Sequence, residues 1–353
     1  MENSRDIGLL RLVAQRIAGS GFARPVDVVR WLVAMQAQDY GGALTSVALR
    51  MSGGKRGDVE AALDAGEIVR SWPMRGTLHF VAAEDLAWML GIAAPRLLAG
   101  AANRRAQLDL DQARLDRARD VAVAALQDVP RLRRGELMAV WDDAGLATSG
   151  GRGYHLLWYL ALTGVVCLGP VVGNEQQIVL ADAWIREPRR LTRDEALGEW
   201  VSRYFRSHGP ATVKDFARWS GLRAADIGVG LAIAKPHLAI VGVGDVTYFM
   251  DAETPDLLAE LRREAQEVFL LPGFDEFVLG YADRSTVLAP EFAERIVPGS
   301  NGVFKPVVVV GGRIAGTWRH VGRGASRSVD STAFTRFSAR VLDAIGRAHA
   351  VLP

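Results

Sequence analysis

Cysteine and lysine are both scarce in this chain of 353 residues. The single cysteine, Cys167, lies in the apolar run 165–168. One cysteine excludes an internal disulfide framework, which is typical of proteins kept in a reducing compartment. Its apolar neighbours favour a packing role over a nucleophilic one. The lysines are Lys55, Lys214, Lys235 and Lys305.

Long hydrophobic runs are missing as well. No apolar run approaches the ~20 residues that a membrane span needs. The early charges Glu2, Arg5 and Asp6 do not resemble a signal peptide. With 49% hydrophobic and 23% charged residues, the composition is that of an ordinary folded protein. We therefore expect a cytoplasmic protein without a membrane partner.

A strong charge of one sign is also absent, since the formal net charge is only +2. This excludes a histone-like chain that is basic throughout. The basic residues are mainly arginine, whose planar fork suits phosphate and carboxylate recognition. Genomic bias is an equally good explanation, because alanine, glycine and valine are abundant too.

Motifs of several common catalytic sites do not occur. The chain has no HExxH, paired CxxC, GxSxG or GxxxxGK[ST] motif, and its six histidines are scattered. The run 307–310 before Gly311 and Gly312 imitates a dinucleotide-binding turn, but a strand-like segment follows it instead of a helix. We therefore expect neither a metal nor a cofactor.

Periodicity predicts one supersecondary unit that occurs three times, with helices followed by a hairpin, which is the winged-helix order. The first copy has helices at 5–17, from Pro25 and at 58–65. A hairpin-like pair of strands follows, with its first strand at 68–69, a loop at 72–76 and its second strand at 77–81. The second has helices at 136–144 and 154–163 and strands at 165–168 and 177–180, with a turn at Gly173-Asn174. The third has helices at 212–219 and 224–234 and strands at 238–243 and 246–250.

The pattern changes to strands after residue 267. Strands are predicted at 268–271, 304–310 and 313–318, followed by a terminal amphipathic helix. Its apolar face is predicted to carry Phe334, Phe337, Val341 and Ile345. The predicted fold is therefore α+β, with three tandem winged-helix modules and a β-rich C-terminal domain with a terminal helix. The domain boundaries are 1–110, 111–190, 191–266 and 267–353.

One polar interruption follows the apolar stripe of the second helix. Val28, Leu32 and Met35 lead to Gln36, Ala37, Gln38 and Asp39, where the stripe predicts another apolar residue. In a continuing helix Gln36 and Gln38 point apart, whereas in an extended segment they share a face. A Gln-x-Gln triplet is a weak motif by itself, and spacing alone favours a frayed helix end with solvated glutamines.

Several motifs together resemble the tandem winged-helix alkylpurine DNA glycosylases of the AlkZ and AlkX type. The resemblance covers nearly the whole chain. The motifs that carry it are Met35-Gln36-Ala37-Gln38, the runs 74–79 (MRGTLH), 167–170 (CLGP) and 207–212 (SHGPAT), and the C-terminal runs 271–276 (LPGFDE), 301–306 (NGVFKP) and 316–319 (GTWR).

The resemblance implies an enzyme that removes N7- and N3-alkylated purines from double-stranded DNA, in some members bulky adducts or interstrand crosslinks. Gln36 and Gln38 then correspond to the catalytic pair of the AlkZ branch, since the AlkX branch has Gln-x-Asp. We expect a monomer that associates with the nucleoid when it is bound to DNA.

The chemistry is consistent with amides. N7 alkylation makes the purine a cationic leaving group, so little protonation is needed, and an amide oxygen can orient the attacking water. Asp39 is the alternative base or DNA contact, although a helix-end role is the stronger interpretation. None of the lysines is near the motif in sequence, so we expect no lyase activity. Asp275 and Glu276 are predicted to lie in a strand and form structural salt bridges.

Further DNA contacts are predicted at helix starts, strand faces and turns. An ordinary structural role is an equally good interpretation of each. The candidates are Arg75, Thr77, His79, Arg152, His155, Arg284, Ser300, Asn301 and Arg319.

Two functions of other kinds remain open. Winged helices often serve non-catalytic DNA binding or regulation, and fold alone does not decide between them. A resistance protein that sequesters a DNA-alkylating natural product is the third interpretation. The Gln-x-Gln triplet and the long resemblance favour the enzyme.

Overall fold

A computed structural model describes residues 6–19, 21–173, 175–322 and 327–353, apart from the side chain at 300. The chain divides into two compact units. The first unit combines the chain up to Asp58 with Leu197–Pro353, and the second is Val59–Ala196. The first unit is therefore built from both ends of the chain.

The α-helices and 3₁₀ turns of the described residues follow in chain order. The α-helices are α1 Ile7–Ala14, α2 Pro25–Leu32, α3 Tyr40–Ala48, α4 Arg56–Asp64, α5 Leu86–Gly100, α6 Ala102–Gln107, α7 Gln112–Asp128, α8 Arg134–Asp143, α9 Arg152–Leu162, α10 Ala181–Trp184, α11 Arg193–His208, α12 Val213–Ser220, α13 Ala224–Ala234, α14 Thr254–Ala265, α15 Glu276–Leu279, α16 Ala293–Ile296 and α17 Ala339–Ala350. The 3₁₀ turns are Ala83–Asp85, Lys235–His237, Pro290–Phe292 and Pro298–Ser300.

The strands of the described residues are two to nine residues long. They are β1 Met35–Gln36, β2 Ile68–Met74, β3 Thr77–Ala82, β4 Leu132–Arg133, β5 Val166–Val172, β6 Glu175–Leu180, β7 Leu238–Val243, β8 Val246–Asp251, β9 Val268–Leu271, β10 Val307–Val310, β11 Arg313–Val321 and β12 Ser328–Ala333. Helices and antiparallel strands together confirm the predicted α+β class.

The second unit contains an antiparallel sheet with the strand order β3-β2-β5-β6-β4. The hairpin of β2 and β3 turns at Arg75 and Gly76, which have φ values of 54° and 70°. Two successive positive φ values match the right-handed twist of the paired strands. The predicted loop at 72–76 is therefore wrong for its first three residues, because β2 continues to Met74. Asn174, predicted to share the β5–β6 turn, lies outside the described residues.

The first unit contains the antiparallel sheet β12-β11-β10-β9. Both faces of β10 are buried: Val307 and Val309 pack in a core with α1 and α15, while Val308 packs on the other side with Ile345 of α17. Alternate residues of a strand point to opposite faces, so an unbroken valine run fits this position. The hairpin of β7 and β8 forms a separate two-stranded sheet.

The terminal helix is shorter than the sequence predicts. Ser338 caps α17 by accepting a hydrogen bond from the Val341 N–H at 3.3 Å. Phe334 and Phe337 therefore precede the helix, and Phe334 packs in the core after β12, a strand that the sequence analysis missed. The predicted apolar face was right for Val341 and Ile345 alone, because the cap fixes the helix start at residue 339.

Two other predicted helices are present, with different bounds or with an additional helix before them. The helix predicted at 58–65 is α4, which follows the unpredicted α3, while the helix predicted at 5–17 spans Ile7–Ala14, and Arg5 lies outside the described residues. The two units are divided at 58 and 196, which differs from the predicted module boundaries. The division into three winged helices and a C-terminal domain therefore stays a prediction. No helix within the described ranges is long and apolar enough to cross a membrane.

Candidate functional site

The backbone leaves the helical conformation directly before the glutamine pair. α2 ends at Leu32, and Val33 has φ 69° and ψ −56°. Positive φ is strained for a β-branched residue, and such strain concentrates at functional sites. The next residues are extended in β1, so the helix ends before Gln36. Of the two sequence interpretations, the extended segment is the one found.

The two glutamine side chains meet directly. Gln36 Nε2 donates a hydrogen bond to Gln38 Oε1 at 2.8 Å. Gln36 is 8% exposed, whereas Gln38 is exposed. Among the described residues, Gln36 Oε1 has no hydrogen-bond partner although it is buried. The pair therefore contains one buried acceptor whose hydrogen-bonding capacity is unused.

Asp39 begins the next helix. Its carboxylate accepts a hydrogen bond from the Gly42 N–H at 3.1 Å and caps α3. A Cβ at position 42 would lie 2.6 Å from Asp39 Oδ2 and 3.2 Å from the Gly273 carbonyl oxygen. Glycine is therefore required there by the close approach. This contact explains Asp39 as an N-cap.

A buried carboxylate lies behind the Gln36 backbone. The Gln36 N–H donates to Glu276 Oε1 at 3.1 Å, and Trp219 Nε1 donates to Glu276 Oε2 at 2.8 Å. His208 Nε2 is 3.5 Å from the same Oε2. Glu276 is 1% exposed. These contacts join α15, α12 and the end of α11 to the glutamine segment.

The neighbouring acid, Asp275, is also buried, and it forms an ion pair with Arg50 at 2.9 Å. It caps α15 through the Phe277 N–H at 2.9 Å. Burial alone would raise the pKa of Asp275, but Arg50, the Ser46 hydroxyl and the Phe277 N–H together hold that pKa below its usual range. The prediction of a strand at 275–276 was therefore wrong, because this cap starts a helix, while the predicted salt bridge is present for Asp275.

Three candidate DNA contacts of the second unit lie together at the β2–β3 turn. His79 Nδ1 lies 2.8 Å from the Thr77 carbonyl, so we assign the proton to Nδ1, and Nε2 accepts from Arg75 Nη2 at 3.2 Å. His79 is fully buried. It therefore orients Arg75 from inside the hairpin, and its direct contact with DNA stays an untested prediction.

Two further candidates begin α9, as predicted. Arg152 Nε donates to the Leu108 carbonyl at 2.7 Å. His155 is 8% exposed, and within the described residues its Nε2 has no hydrogen-bond partner. Burial, followed by the positive charges of Arg105 and Arg104, lowers the pKa of His155. The start of α9 is thus surrounded by arginines, two of which the sequence analysis did not select.

The remaining candidates lie in the first unit. Arg284 Nε donates to the Val278 carbonyl at 2.6 Å, and its guanidinium lies 5.2 Å from the centre of the Phe304 ring. Asn301 is exposed and accepts from the Val303 N–H at 2.9 Å. Arg319 is exposed and pairs with Asp330 at 2.8 Å. The Ser300 side chain lies outside the described residues.

Metal-ligating side chains do not cluster in the part of the chain that the structure describes. No three His, Cys, Asp or Glu side chains there come together in a way that could hold a metal ion. The cysteine thiol is buried, and burial raises the pKa of Cys167 to about 12. The prediction that no cofactor is needed is not tested by this observation.

The fold and the paired amides define an α+β protein whose candidate site is a pair of uncharged side chains, with a buried carboxylate hydrogen-bonded to the Gln36 backbone. A family model described as AlkZ-like DNA glycosylase matches residues 29–352. The chain therefore belongs to the AlkZ-like DNA glycosylase family, whose members are hydrolases that act on damaged DNA.

Two comparisons with known proteins agree with this membership. The chain is 29% identical to the interstrand DNA cross-link repair glycosylase of Streptomyces sahachiroi, across 84% of this chain and 82% of that protein. The solved structure of the Streptomyces sahachiroi DNA glycosylase AlkZ superposes with a TM-score of 0.83 at 25% identity, covering 100% of this chain and 96% of that one. The resemblance to this family stated from the motifs is confirmed, while the branch assigned from the Gln-x-Gln motif stays a prediction.

Proposed function

We propose that the protein hydrolyses the N-glycosidic bond of N7- or N3-alkylated purines in double-stranded DNA, without strand cleavage. The hydrogen bond between Gln36 and Gln38 is the observation that carries the proposal. Bulky adducts and interstrand crosslinks are included among the substrates, since the Streptomyces sahachiroi relative is named for cross-link repair.

An amide pair is suited to a leaving group that already carries charge. Alkylation at N7 or N3 makes the purine cationic, so its departure needs little help from a general acid. The remaining tasks are to stabilise a cationic sugar and to place a water molecule against it. Amide oxygens perform both without titrating, because they accept hydrogen bonds at every physiological pH.

The direction of the hydrogen bond assigns a role to each glutamine. The amide nitrogen of Gln36 is engaged by Gln38, which leaves Gln36 Oε1 as the buried acceptor. In the proposal this oxygen accepts a hydrogen bond from the attacking water and faces the developing positive charge of the sugar. Gln38, which is exposed, fixes the orientation of Gln36 and contacts the lesion side of the site.

A lyase step would need an amine that attacks the sugar. None of the four lysines lies near Gln36 and Gln38 in sequence, which supports hydrolysis alone. The proposal uses no metal or cofactor, and it takes the monomer as the working unit.

The proposed phosphate contacts of the second unit are the arginines near the start of α9, which are Arg152 of α9 and Arg104 and Arg105 of α6. Arg104 is exposed, and a Cβ at Gly151, the N-cap of α9, would lie 3.5 Å from its Nη2. A helix N-terminus and a guanidinium both favour a phosphate. The turn arginine Arg75 is proposed as a further phosphate contact of the second unit. Asn301 and Arg319 are proposed as DNA contacts of the first unit.

Binding measurements at several salt concentrations test the phosphate contact. The Arg104→Ala variant is expected to weaken duplex binding and to reduce the slope of log Kd against log salt by about 0.9, the value for one phosphate. The matched control is Arg119→Ala, an exposed arginine already paired with Asp116 and Asp120. If the slope of log Kd against log salt is the same for the two variants, Arg104 does not contact a DNA phosphate.

Base release tests the proposed activity directly. The protein is incubated with a duplex that contains a single 7-methylguanine, and free base and alkali-labile abasic sites are measured. We expect release of free 7-methylguanine, and strand breaks that form only after alkali treatment. Breaks without alkali would contradict the absence of lyase activity.

Failure to release base has a defined meaning. If the protein binds the duplex yet frees no base from any N7 or N3 adduct, the non-catalytic DNA-binding interpretation is correct. Binding of free alkylating drug without any release would favour sequestration.

A further inference from the structure

The buried carboxylate behind the glutamine segment has no role in the hydrolysis described above. We propose that Glu276 is a positioning residue, whose carboxylate fixes the Gln36 backbone and thereby aims the amide pair. This inference rests on the proposed function of Gln36 and Gln38. Its physical basis is the pair of hydrogen bonds that Glu276 accepts, one from the Gln36 N–H and one from Trp219 Nε1.

The geometry of these bonds requires two acceptors on one side chain. Each oxygen of Glu276 accepts from a different donor, at 3.1 Å from Gln36 N and 2.8 Å from Trp219 Nε1. Both donors are N–H groups, and neither can reverse its role. A glutamine at position 276 has only one acceptor oxygen, so it must direct its own NH₂ against one of these donors. A buried donor that faces another donor is left unsatisfied.

The strained backbone explains why this anchor matters to the amide pair. Val33 has a φ of 69°, which no β-branched residue adopts by preference, so the extended segment needs support from its surroundings. The Glu276 carboxylate supplies that support at the residue that carries the buried acceptor oxygen. A misplacement of about 1 Å in a catalytic group can cost on the order of 10²-fold in rate.

The far side of the carboxylate is itself held in place. The ring of His208 stacks on Tyr204 with centroids 4.6 Å apart, and it lies 5.2 Å from the Trp219 ring. His208 Nδ1 is 2.9 Å from Ser207 Oγ. At Gly280 a Cβ would approach His208 Cδ2 to 2.6 Å, so the α15 backbone closes over this ring. The donor Trp219 is therefore fixed independently of Gln36.

A rescue experiment separates positioning from general stability. The variants are Glu276→Gln, Trp219→Phe and the double variant, with Glu260→Gln as the control because Glu260 is an exposed acid on α14 of the same unit. For each, the single-turnover release of 7-methylguanine, the Kd for the duplex and the melting temperature are measured.

We expect Glu276→Gln to lower the single-turnover rate constant at least tenfold while the Kd changes less than twofold. The double variant is expected to recover most of the rate, because the phenylalanine ring that replaces Trp219 has no N–H. The new amide at position 276 can then direct its NH₂ toward that ring and its oxygen toward the Gln36 N–H. The control variant is expected to match the wild type.

Hydrogen–deuterium exchange provides a readout that does not depend on activity. The peptide that covers 33–39 is expected to exchange at least tenfold faster in Glu276→Gln than in the wild type, and the double variant should restore its protection. Unchanged exchange together with a wild-type rate in Glu276→Gln would overturn the inference. A rate loss that the double variant fails to rescue would also contradict it.

The two proposals fail in different ways. If the wild-type protein releases no base, the proposed function fails, and the exchange experiment still decides whether Glu276 anchors the Gln36 segment. If the wild type is active and Glu276→Gln is equally active, the inference fails and the proposed function stands.

Discussion

The buried ion pair of Arg50 and Asp275 gives a stability prediction whose size follows from counting donors. Arg50 Nε donates to the Gln15 carbonyl at 2.9 Å, and Nη1 donates to the Ser46 carbonyl at 2.7 Å and to Asp275 Oδ2 at 2.9 Å. Nη2 donates to Gln15 Oε1 at 2.9 Å and to Asp275 Oδ1 at 3.0 Å. Every N–H of the guanidinium therefore has a buried acceptor.

Lysine keeps the charge but cannot satisfy these acceptors. The ammonium group of an Arg50→Lys variant has three N–H donors on one nitrogen, so at least two buried acceptors lose their partner. Each unsatisfied buried group costs about 1–3 kcal/mol. We expect the free energy of unfolding of the first unit to fall by ~2–6 kcal/mol, which is large beside the ~5–15 kcal/mol of a typical domain.

Urea unfolding followed by tryptophan fluorescence and circular dichroism measures this change. The control is Arg262→Lys, since Arg262 pairs with Asp6 at 3.2 Å where both side chains are partly exposed. An exposed pair contributes only about 0–1 kcal/mol, so the control should unfold almost like the wild type. A loss below about 1 kcal/mol in Arg50→Lys would refute the donor count.

Three smaller predictions concern titrating groups. The pKa of Asp275 is lower in the folded protein than its unfolded value of about 3.9. Its contribution to the free energy of unfolding is therefore present above that pH and is lost as the pH falls through the folded pKa. In the Asp275→Asn variant, the free energy of unfolding should depend less on pH below about 4. Cys167, whose pKa burial raises to about 12, should resist iodoacetamide at pH near 8 in the native state and react once urea unfolds the chain. Burial, with Arg327 and His349, lowers the pKa of His320 to about 4, so its ring signals in NMR should not titrate near pH 6.5, and this group should weaken folding as the pH falls from about 6.5 to 4.

Local patterns were sufficient for many of the elements. Pro25 begins α2 because its fixed φ suits a first helical turn, and the structure starts that helix at the same residue. Strands β7 and β8, which meet at Gly244, were predicted within one residue of their bounds, since alternation and a turn signal are both local. The terminal helix start was missed because the Ser338 cap competes with the apolar periodicity.

The glutamine site was only partly accessible to sequence reasoning. The shared face of Gln36 and Gln38 followed from the extended alternative, but the φ of Val33 that ends the helix depends on tertiary packing. Glu276 lies 240 residues further along the chain, and its link to the Gln36 backbone is a contact between segments that no local pattern encodes. The adjacent acids Asp275 and Glu276 were the only sequence feature that pointed to this contact. Because we assigned them to a strand, we did not predict that Glu276 would hydrogen-bond to the Gln36 backbone.

The most direct test of the account is single-turnover release of 7-methylguanine by Gln36→Ala and Gln38→Ala variants, measured beside Gln112→Ala, which removes an exposed amide from α7. We predict that the Gln36→Ala rate constant falls by about 10²-fold or more, in the range that removal of one transition-state hydrogen bond produces. Gln112→Ala should match the wild type, and all variants should bind the duplex equally well. Wild-type release rates in both site variants would contradict the central claim that the paired amides place the attacking water.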